Sequence, residues 1–560
     1  MTEPIYRSPR GLHGFQAEGV ARWYVQRSLF CTWETGCGKS HLSLAGGSLL
    51  VQDGLVGLVL LVCEQNKLKE WLDDFRTFTT LRAEVYMGTP KRREKIRASL
   101  TDGLLPPQVL ITTYETSRND LGGFVKEGRK KVFATGPLLD TLREVAARSG
   151  LAVVYDESTR LGNRYQSGGR LGGRWVGARG SVVYKAHEAM LKAVRSAAPD
   201  RVWVAGMTAT PVETSPDNAF NQLRLIAPTF VGSIASFERD HVRYRDQFDR
   251  ARYKNLGPDD PWREPGVVTF QEKIAPIVSH KSKSDPDIRA AFPEATEEPM
   301  YVTLGRDHAA LYEAVRSLAH DEEVFPGGMS RTDEEVLFGV LRQVAAHPKA
   351  LTLSPASSQE GTIASLIVNR VGAETLQGMK SEKEEALVAK LHSLVGDQGY
   401  QVVVFSFFGR SVIPILEERL KAEGFTVSTY TGSMTRAEKE KSKQDFKAGD
   451  SQIFLASDAA ARGINLPEAK YVINYELCLT HAKTTQRINR LSRIDGGHDS
   501  ITAFSMIALG TVEEAILGLN FRRQEWHEAI TPSSDDGGEG VGSIGVEERR
   551  ALFKKVKVGF

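Results

Sequence analysis

The chain has 560 residues, of which 41% are hydrophobic and 25% are charged, and its formal net charge is +2. This length exceeds one ordinary domain, so two or three domains are expected, and the composition is that of a globular protein in water. The nearly neutral charge excludes a uniformly basic surface, so any surface that binds a polyanion has to be local.

The cysteines and the N-terminal residues indicate the cellular compartment in which the protein is expected. The four cysteines, Cys31, Cys37, Cys63 and Cys478, form neither a CxxC pair nor a ligand cluster, which excludes a disulfide scaffold and a zinc site. Residues 1–15 lack the apolar core of a signal peptide, and no apolar run approaches the ~20 residues that span a bilayer. We therefore expect an intracellular, reducing compartment, the cytoplasm, and no membrane partner.

Two sets of short apolar runs, rich in β-branched residues, predict strands that are buried on both faces. Helical patterns such as residues 410–424 lie between the runs, so strand and helix alternate in each half. The predicted fold class is α/β, with two tandem parallel-sheet lobes and a helical insert between them. The runs lie at 56–64, 107–115, 150–157 and 201–211, and then at 401–408, 425–432, 451–458, 469–476 and 500–508.

The segment between the two halves has a different composition. Residues 229–385 combine helical stretches with charged and proline-containing loops, which predicts a helical insert or bridge. Residues 531–545 are a flexible linker by composition, and a short basic end follows at 546–560. The predicted domains are 1–228, 229–385 and 386–530, with a tail at 531–560.

Residues 29–47 predict a strand, a tight turn and a helix. The turn glycines permit close backbone approach to a phosphate, which the free amides at the helix start favour. Lys39 would reach the β- and γ-phosphates, and the Ser40 hydroxyl would bind Mg²⁺. The full pattern requires a glycine at position 33, which is Trp33 here, so the alternative is a glycine turn with an incidental lysine. The residues expected at the phosphates are Thr35, Gly36, Cys37, Gly38, Lys39 and Ser40.

An acidic pair, Asp156 and Glu157, ends the apolar run at 150–157. Carboxylates at the carboxyl end of a strand lie where α/β sheets bind ligands. Asp156 would hold Mg²⁺ through its waters, and Glu157 would polarise an attacking water as a general base. The alternative is a solvated strand end.

An arginine-containing segment at 484–496 places Gln486, Arg490 and Arg493 at the spacing i, i+4 and i+7. On a helix this spacing puts all three on one face, with Arg487 off it. Arginines in such a row could donate to a phosphate and stabilise transition-state charge. The alternative is a solvated basic face.

In chain order these segments resemble the motifs of the superfamily-two helicases, and among them the Swi/Snf-type DNA translocases, over roughly residues 10–520. The resemblance adds Gln16 in 12–20 as an adenine contact, and Gly463 in 457–469 as a contact to ATP. It assigns coupling roles to Gln486 and to the hydroxyls of Thr208 and Thr210. Trp33 and the Ser158-Thr159 ending of the acidic box depart from the family pattern. The Trp-rich segment expected before the arginine motif in eukaryotic remodellers is replaced by residues 474–485, which favours a bacterial or viral branch. Further matching segments are 61–75, 109–115, 341–351, 402–408, 430–434 and 510–517.

The resemblance implies two RecA-like lobes that bind ATP and Mg²⁺ and grip DNA mainly by its phosphates, as a monomer near the nucleoid. Duplex or branched DNA is the expected partner, and RNA is the alternative. Residues 160–180 interleave arginines and aromatics with glycines, which predicts either a loop on a nucleic-acid strand or a plain surface loop. The expected nucleic-acid contacts are Lys67, Thr112, Thr113, Arg170, Arg174, Arg179, Thr431, Ser433 and Ser457.

The function that this resemblance implies is movement along DNA, or remodelling of it, driven by ATP hydrolysis. One alternative is a strand-separating helicase on DNA or RNA, although no segment of the sequence identifies a wedge. Another is an ATP-gated clamp with little turnover, against which the carboxylates and arginines argue.

Overall fold

The computed structural model describes residues 5–9, 11–102, 104–127, 130–162, 170–171, 174–175, 181–245, 251–283, 285–286, 288–289, 292–458, 464–492 and 498–531. The described chain divides into two compact units. The first contains residues up to Asp285 together with those from Arg523 onward, and the second contains Pro286–Arg522.

The first unit is built on parallel strands and the helices between them. Its strands are β1 (Ser28–Cys31), β2 (Leu58–Cys63), β3 (Ala83–Val85), β4 (Val109–Thr113), β5 (Gly122–Glu127), β6 (Lys130–Thr135), β7 (Leu151–Asp156), β8 (Arg170–Leu171), β9 (Arg174–Trp175), β10 (Val202–Met207), β11 (Val242–Arg245), β12 (Ala251–Tyr253) and β13 (Val278–Ser279). Its helices are α1 (Gly14–Gln26), α2 (Lys39–Gln52), α3 (Leu68–Phe78), α4 (Pro90–Asp102), α5 (Tyr114–Leu121), α6 (Pro137–Ser149), α7 (Val182–Ala197), α8 (Pro216–Ile226), α9 (Pro228–Val231), α10 (Ile234–His241) and α11 (Phe270–Ile274).

Seven of these strands form one fully parallel sheet in the order β13-β1-β10-β7-β2-β4-β3. Every residue of β2 and β10 is buried, as expected for strands covered by helices on both faces. The helices cover the sheet through apolar stripes; α3, for example, buries Leu68, Trp71 and Phe75 on one side. The four predicted apolar runs of this half and the strand, turn and helix at 29–47 are confirmed.

The second unit repeats the architecture with fewer strands. They are β14 (Glu294–Val302), β15 (Val402–Ser406), β16 (Val427–Tyr430), β17 (Ile453–Ser457), β18 (Tyr471–Asn474) and β19 (Ser500–Ala508), paired in parallel in the order β14-β19-β18-β15-β17-β16. Its helices are α12 (Arg306–Ser317), α13 (Arg331–Ala346), α14 (Ile363–Val371), α15 (Ala373–Gly378), α16 (Glu382–Leu391), α17 (Ile413–Ala422), α18 (Arg436–Lys447), α19 (His481–Ile488) and the part of α20 (Val512–Ile530) up to Arg522. The α/β class with two parallel-sheet lobes is confirmed.

The structure divides residues 229–385 differently from the single insert that the sequence predicts. Strand β13 belongs to the first sheet, whereas β14 pairs with β19 along nine residues of the second sheet. Strand β14 is an edge strand with mostly exposed residues, so it lacks the apolar run by which buried strands are recognised. The end of the predicted 386–530 domain also differs, because residues from Arg523 onward belong to the first unit. There Gln271 Nε2 donates to the carbonyl of Thr531 at 2.7 Å.

Candidate functional site

The turn between β1 and α2 has the backbone of a phosphate-binding loop. Gly36 and Gly38 have φ angles of 100° and 84°, in the left-handed region that glycine tolerates. Helix α2 begins at Lys39, and the amides of its first turn have no partner within the helix. These amides, with the positive end of the helix dipole, favour an anion. The strand–turn–helix order predicted from the sequence therefore has the required geometry.

Gln16 braces this loop from helix α1. Its Oε1 accepts from the amide of His13 at 3.0 Å, and its Nε2 donates to the carbonyl of Cys37 at 3.1 Å. A Cβ at Gly38 would lie 2.3 Å from Gln16 Nε2, so a side chain at position 38 would displace the amide of Gln16 in addition to requiring a positive φ angle. Gln16 thus fixes the loop; an adenine contact stays a prediction.

Lys39 is oriented by the loop itself, and the neighbouring Cys37 is buried. Lys39 Nζ donates to the carbonyls of Trp33 and Glu34 at 2.7 and 3.2 Å. The ammonium group is therefore held at the loop, where it is available for phosphate oxygens. Burial raises the pKa of the Cys37 thiol to about 11, which keeps it neutral at physiological pH. Ser40 is the second residue of α2, directly after Lys39, and is partly buried.

Trp33 has a structural reason to replace the family's glycine. The side chain is fully buried, and its Nε1 donates at 2.9 Å to the Oγ of Ser279, the last residue of β13 in the same sheet. Gly19 makes room for the indole, since a Cβ there would lie 2.8 Å from Trp33 Cζ2. Position 33 is not among the described residues with positive φ, so its backbone does not need glycine.

The acidic pair lies beside the loop because of the strand order. In the register of the sheet, Cys31 of β1 pairs with Met207 of β10, and Met207 pairs with Asp156 of β7. Neighbouring strands are about 5 Å apart, so the phosphate loop, the segment after β10 and Asp156 start from three adjacent strand ends. The carboxyl edge of an α/β sheet is where such folds bind ligands.

Asp156 is held in place by two aromatic residues. Trp71 Nε1 donates to Asp156 Oδ2 at 2.8 Å, and the Tyr114 hydroxyl donates to the Asp156 carbonyl at 2.8 Å. Burial raises the pKa of Asp156, while the hydrogen bond from Trp71 and then the charges of Lys67 and Lys39 lower it. The sequence did not single out Trp71, because its spacing from Leu68 and Phe75 is that of an ordinary core residue.

Glu157 adopts a backbone conformation that is unusual for its type. Its φ and ψ are 51° and 55°, in the left-handed region, where only three described non-glycine residues have positive φ. Such a conformation costs about 1–2 kcal/mol for a residue with a Cβ. Strained residues of this kind cluster at functional sites, and the role of Glu157 as general base stays a prediction.

Thr208 and Thr210 follow β10 between the loop and the acidic pair. The amide of Thr208 donates to the carbonyl of Cys31 at 3.0 Å, and the Thr208 hydroxyl accepts from the amide of Thr210 at 3.0 Å. The unusual Ser158 reaches this segment through a glutamine. Ser158 Oγ donates to Gln222 Oε1 at 2.8 Å, and Gln222 Nε2 donates to the carbonyl of Pro211 at 2.9 Å. This link connects the acidic box to the proposed coupling segment and was not visible in the sequence.

Three expected nucleic-acid contacts of the first unit have other partners. Thr112 is fully buried, and its hydroxyl donates to the carbonyl of Tyr86 at 3.1 Å. Thr113 is also buried, and its hydroxyl caps α5 by accepting from the amide of Thr116. The assignment of these two hydroxyls to direct contacts is corrected, because neither is accessible. Lys67 Nζ pairs with Glu70 at 2.7 Å.

Arg170, Arg174 and Arg179 are the expected nucleic-acid contacts in the 160–180 segment, and their side chains lie outside the described part of the structure. Arg170 and Arg174 lie in the short strands β8 and β9, which pair antiparallel, and their side chains are outside the described part. Arg179 lies wholly outside the described residues. Their role in nucleic-acid binding stays a prediction.

Three expected contacts of the second unit come together. Thr431, Ser433 and Ser457 line one cavity of 210 Å³. The Thr431 and Ser433 hydroxyls are hydrogen-bonded at 2.9 Å. The same cavity contains Arg410, which is exposed and which the sequence did not single out. Its other lining residues are Phe407, Gly409, Gly432 and Asp458.

The arginine segment does not form the predicted single helical face. Helix α19 ends at Ile488, so Gln486 lies on it but Arg490 does not. Arg490 is buried, and its carbonyl accepts from the amide of Leu466 at 2.9 Å. Arg493 and Gly463 lie outside the described residues. The spacing alone was misleading, because the helix ends before the i+4 position.

Arg487, which lies on α19, is buried and forms an ion pair within the second unit. It is 1% exposed, and its guanidinium donates to Asn474 Oδ1 at 2.9 Å and forms an ion pair with Asp458. Its guanidinium carbon lies 4.9 Å from the ring centroid of Phe405. Arg487 therefore links Asn474 of β18 to Asp458, the residue that follows β17.

Ser40 and Asp156 fit the chemistry of a magnesium ion. Mg²⁺ prefers oxygen ligands and is usually held by one or two carboxylates together with substrate phosphates. Within the described ranges, no group of three or more His, Cys, Asp and Glu side chains could hold a metal ion by itself. A hydroxyl and one carboxylate beside a phosphate loop therefore suit an ion that arrives with a nucleotide. None of the described helices is both long and apolar enough to cross a membrane.

Comparison with known proteins finds similarity to ATP-dependent helicases. A family model described as "Helicase conserved C-terminal domain" matches residues 382–495. The chain is 23% identical over 352 residues to the putative ATP-dependent helicase/translocase YwqA of Bacillus subtilis, covering 62% of this chain and 34% of that protein. It is 23% identical over 565 residues to the DNA excision repair protein ERCC-6-like of Mus musculus, covering 92% of this chain and 41% of that protein. The chain thus spans less than half the length of these two relatives.

One solved structure shows the same fold. The helicase domain of Hef from Pyrococcus furiosus matches with a TM-score of 0.52 at 15% identity, covering 92% of this chain and 99% of that one. At this identity the likeness concerns the fold alone.

Proposed function

We propose that the chain is an ATP-dependent DNA translocase of the Swi/Snf-like branch of the superfamily-two helicases, a proposal supported by its similarity to ATP-dependent helicases. ATP hydrolysis would drive its movement along duplex or branched DNA, or the remodelling of that DNA. The observation that carries this proposal is the register Cys31–Met207–Asp156, which gives the phosphate loop, the coupling segment and the acidic pair adjacent strand ends.

The chemistry of the first unit follows from the contacts around the loop. Lys39 would exchange the carbonyls of Trp33 and Glu34 for phosphate oxygens, while the amides at the start of α2 bind the same group. Ser40 and Asp156 would hold Mg²⁺, which neutralises phosphate charge when it is bound. Glu157 would accept the proton of the attacking water as its oxygen reaches the γ-phosphate.

The second unit would contribute cations and DNA contacts. Arg490 and Arg493 are proposed to stabilise charge on the transferred phosphoryl group, with Gly463 as a backbone contact to ATP. Gln486, Thr208 and Thr210 are proposed to couple hydrolysis to movement.

The 210 Å³ cavity supports a phosphate contact in the second unit. It is lined by Thr431, Ser433, Ser457 and Arg410, together with Asp458, whose carboxylate is paired with Arg487. Hydroxyls and arginines are the usual donors to backbone phosphates, and such contacts position a protein without reading sequence. We propose that DNA backbone binds here, with Lys67 and the arginines at 170, 174 and 179 as contacts from the first unit.

The decisive experiment measures ATP hydrolysis with single-stranded DNA, duplex, branched DNA and RNA as separate stimulators. Duplex or branched DNA is expected to stimulate turnover most. Equal basal turnover under all conditions would contradict the proposal, and stimulation by RNA alone would replace DNA by RNA as the partner.

Two substitutions test the site within the same assay. Lys39→Ala and Glu157→Gln are expected to lower turnover by about a hundredfold or more, as loss of a charge contact or a general base does. Glu157→Gln should still bind ATP. Lys91→Ala is the matched control, since Lys91 is exposed on α4. Substantial turnover in Glu157→Gln would remove its assigned role.

A further inference from the structure

The chain that joins β2 to α3 starts beside the acidic pair. In the register of the sheet, Val62 of β2 pairs with Tyr155 of β7, so the two strands end side by side. Asp156 is the last residue of β7, and residues 64–71, here called the β2–α3 segment, follow β2 directly. Neighbouring strands are about 5 Å apart. The β2–α3 segment therefore leaves the sheet next to the carboxylate assigned to Mg²⁺.

The β2–α3 segment presents polar side chains to solvent. Gln65 and Asn66 are exposed in a single 3₁₀ turn that ends at Lys67. Lys69 is exposed at the start of α3. Lys67 pairs with Glu70 at the surface, and exposed ion pairs contribute little stability, so a phosphate oxygen can take the place of Glu70. Side-chain amides and cations are common donors to a nucleic-acid backbone, which supports the contact proposed for Lys67.

Trp71 lies at the inner end of the β2–α3 segment. It follows Lys67 by four residues, about one helical turn, and it is 4% exposed. Its Nε1 donates to Asp156 Oδ2 at 2.8 Å. The indole has one N–H and no acceptor, so this bond uses the whole hydrogen-bonding capacity of the side chain. Within the described residues, Trp71 is the side chain that donates to this carboxylate, whereas Tyr114 donates to the Asp156 carbonyl.

A second bridge joins the start of the β2–α3 segment to the acidic box. Arg160 Nε donates to Glu64 Oε1 at 2.7 Å, and the two side chains form an ion pair. Arg160 lies in the turn that directly follows Glu157. The β2–α3 segment is thus tied to the acidic box at both ends, by Glu64 and by Trp71. A shift of the segment is either transmitted to the acidic box or breaks one of these contacts.

We propose that Trp71 is a positioning residue that couples the binding of a nucleic-acid backbone on the β2–α3 segment to the orientation of the Asp156 carboxylate. This inference rests on the DNA-dependent function proposed above and names how the partner acts on the ATP site. A phosphate bound by Lys67 shifts the outer end of the segment, and Trp71 carries the shift to Asp156. The pair of Arg160 and Glu64 carries it in parallel. Because linkage between two ligands is reciprocal, a bound nucleotide changes the affinity for DNA by the same factor.

The test measures the coupling between the two ligands by binding, without turnover. The dissociation constant of a fluorescein-labelled DNA duplex is measured by anisotropy, with and without Mg²⁺ and AMPPNP, an ATP analogue that is not hydrolysed. The ratio of the larger constant to the smaller is the coupling factor. DNA-stimulated ATP hydrolysis of the same proteins is measured beside it.

Three variants separate the hydrogen bond from packing. Trp71→Phe removes the N–H and retains an aromatic ring in the buried site. Trp203→Phe is the matched control, because Trp203 is also 4% exposed and its Nε1 donates to the carbonyl of Tyr24 at 3.0 Å. Trp203 is the second residue of β10, at the end of the strand away from the acidic pair.

Arg160→Gln is the third variant and breaks the second bridge. Arg160 is exposed, so this variant tests the same coupling even where Trp71→Phe does not fold. Because the coupling factor is a ratio, a contribution of Arg160 to DNA affinity that is equal in both states cancels.

In the wild-type protein the coupling factor is expected to be about fivefold or more, as for other coupled sites. Trp71→Phe should reduce the factor to less than about twofold, and Arg160→Gln should reduce it to about half of the wild-type factor or less. Trp203→Phe should leave it unchanged. DNA affinity without nucleotide should stay within about twofold in Trp71→Phe, because the buried indole is not a surface contact.

A wild-type coupling factor in Trp71→Phe overturns the positioning role, and so does an equal loss in Trp203→Phe, which would show a general packing effect. Where Trp71→Phe does not fold, an unchanged factor in Arg160→Gln overturns it. A wild-type protein whose hydrolysis is stimulated by DNA, but whose coupling factor is close to unity, overturns the positioning role and leaves the proposed function in place. A wild-type protein without DNA-stimulated hydrolysis overturns both proposals.

Discussion

The contact between Gln16 and the phosphate loop allows a quantitative test. In Gly38→Ala, the new Cβ would lie 2.3 Å from Gln16 Nε2, at a φ of 84°. The left-handed conformation costs an alanine about 1–2 kcal/mol. Displacing Gln16 also breaks its bonds to Cys37 and His13, at about 1 kcal/mol each. The substitution should therefore lower the free energy of unfolding by about 3–4 kcal/mol.

A double-mutant cycle isolates the clash from the backbone strain. Gln16→Ala alone loses the two hydrogen bonds, about 2 kcal/mol. Adding Gly38→Ala to Gln16→Ala then costs only the strain, so the double variant should be about 2 kcal/mol more stable than the sum of the single effects. Gly54→Ala is the matched control: its φ is 67° with nothing within 4 Å of the Cβ, so its effect should add to that of Gln16→Ala.

The assay is urea unfolding of the nucleotide-free protein, followed by tryptophan fluorescence. All seven tryptophans belong to the first unit, so the signal reports the unit that contains the loop. Additivity of Gly38→Ala and Gln16→Ala within about 0.5 kcal/mol, as for independent sites, would refute the reasoning.

Three further substitutions test the reasoning elsewhere. Trp33→Gly introduces the glycine of the full phosphate-loop pattern and should lower the free energy of unfolding by about 3–5 kcal/mol, because it empties a buried site. Urea unfolding followed by circular dichroism measures this change, and a decrease below about 1 kcal/mol would contradict the packing argument. Glu157→Gly should abolish turnover yet raise the free energy of unfolding by about 0.5 kcal/mol, since glycine relieves the strain of the left-handed backbone conformation. A clear decrease in the free energy of unfolding would show that Glu157 stores no such strain. Lys383→Met should cost about 3–5 kcal/mol, because it leaves the carboxylate of Glu513 buried without the ammonium that lies 2.7 Å away. Lys380→Met, at an exposed position, should leave the melting temperature unchanged, and equal effects of the two substitutions would contradict this account.

The sequence was most successful where a signal is local. The continuous apolar runs predicted β2, β4, β7 and β10 because strands buried on both faces need apolar side chains at every position. The Gly-Lys-Ser turn was recognised because its glycines and helix start are neighbours in the chain. It was least successful for the edge strand β14, whose side chains are mostly exposed, and for the arginine segment, where the helix ends at Ile488.

By itself, then, the sequence determined the two parallel-sheet lobes, the phosphate loop and the acidic pair, since each depends on residue types within a short stretch. Only the tertiary structure decided what surrounds them. The bond from Trp33 to Ser279 joins residues 246 positions apart, and the link from Ser158 to Gln222 joins residues 64 apart. Strand order and helix packing determine which distant segments become neighbours, and neither is encoded in the local pattern at either end of such a contact.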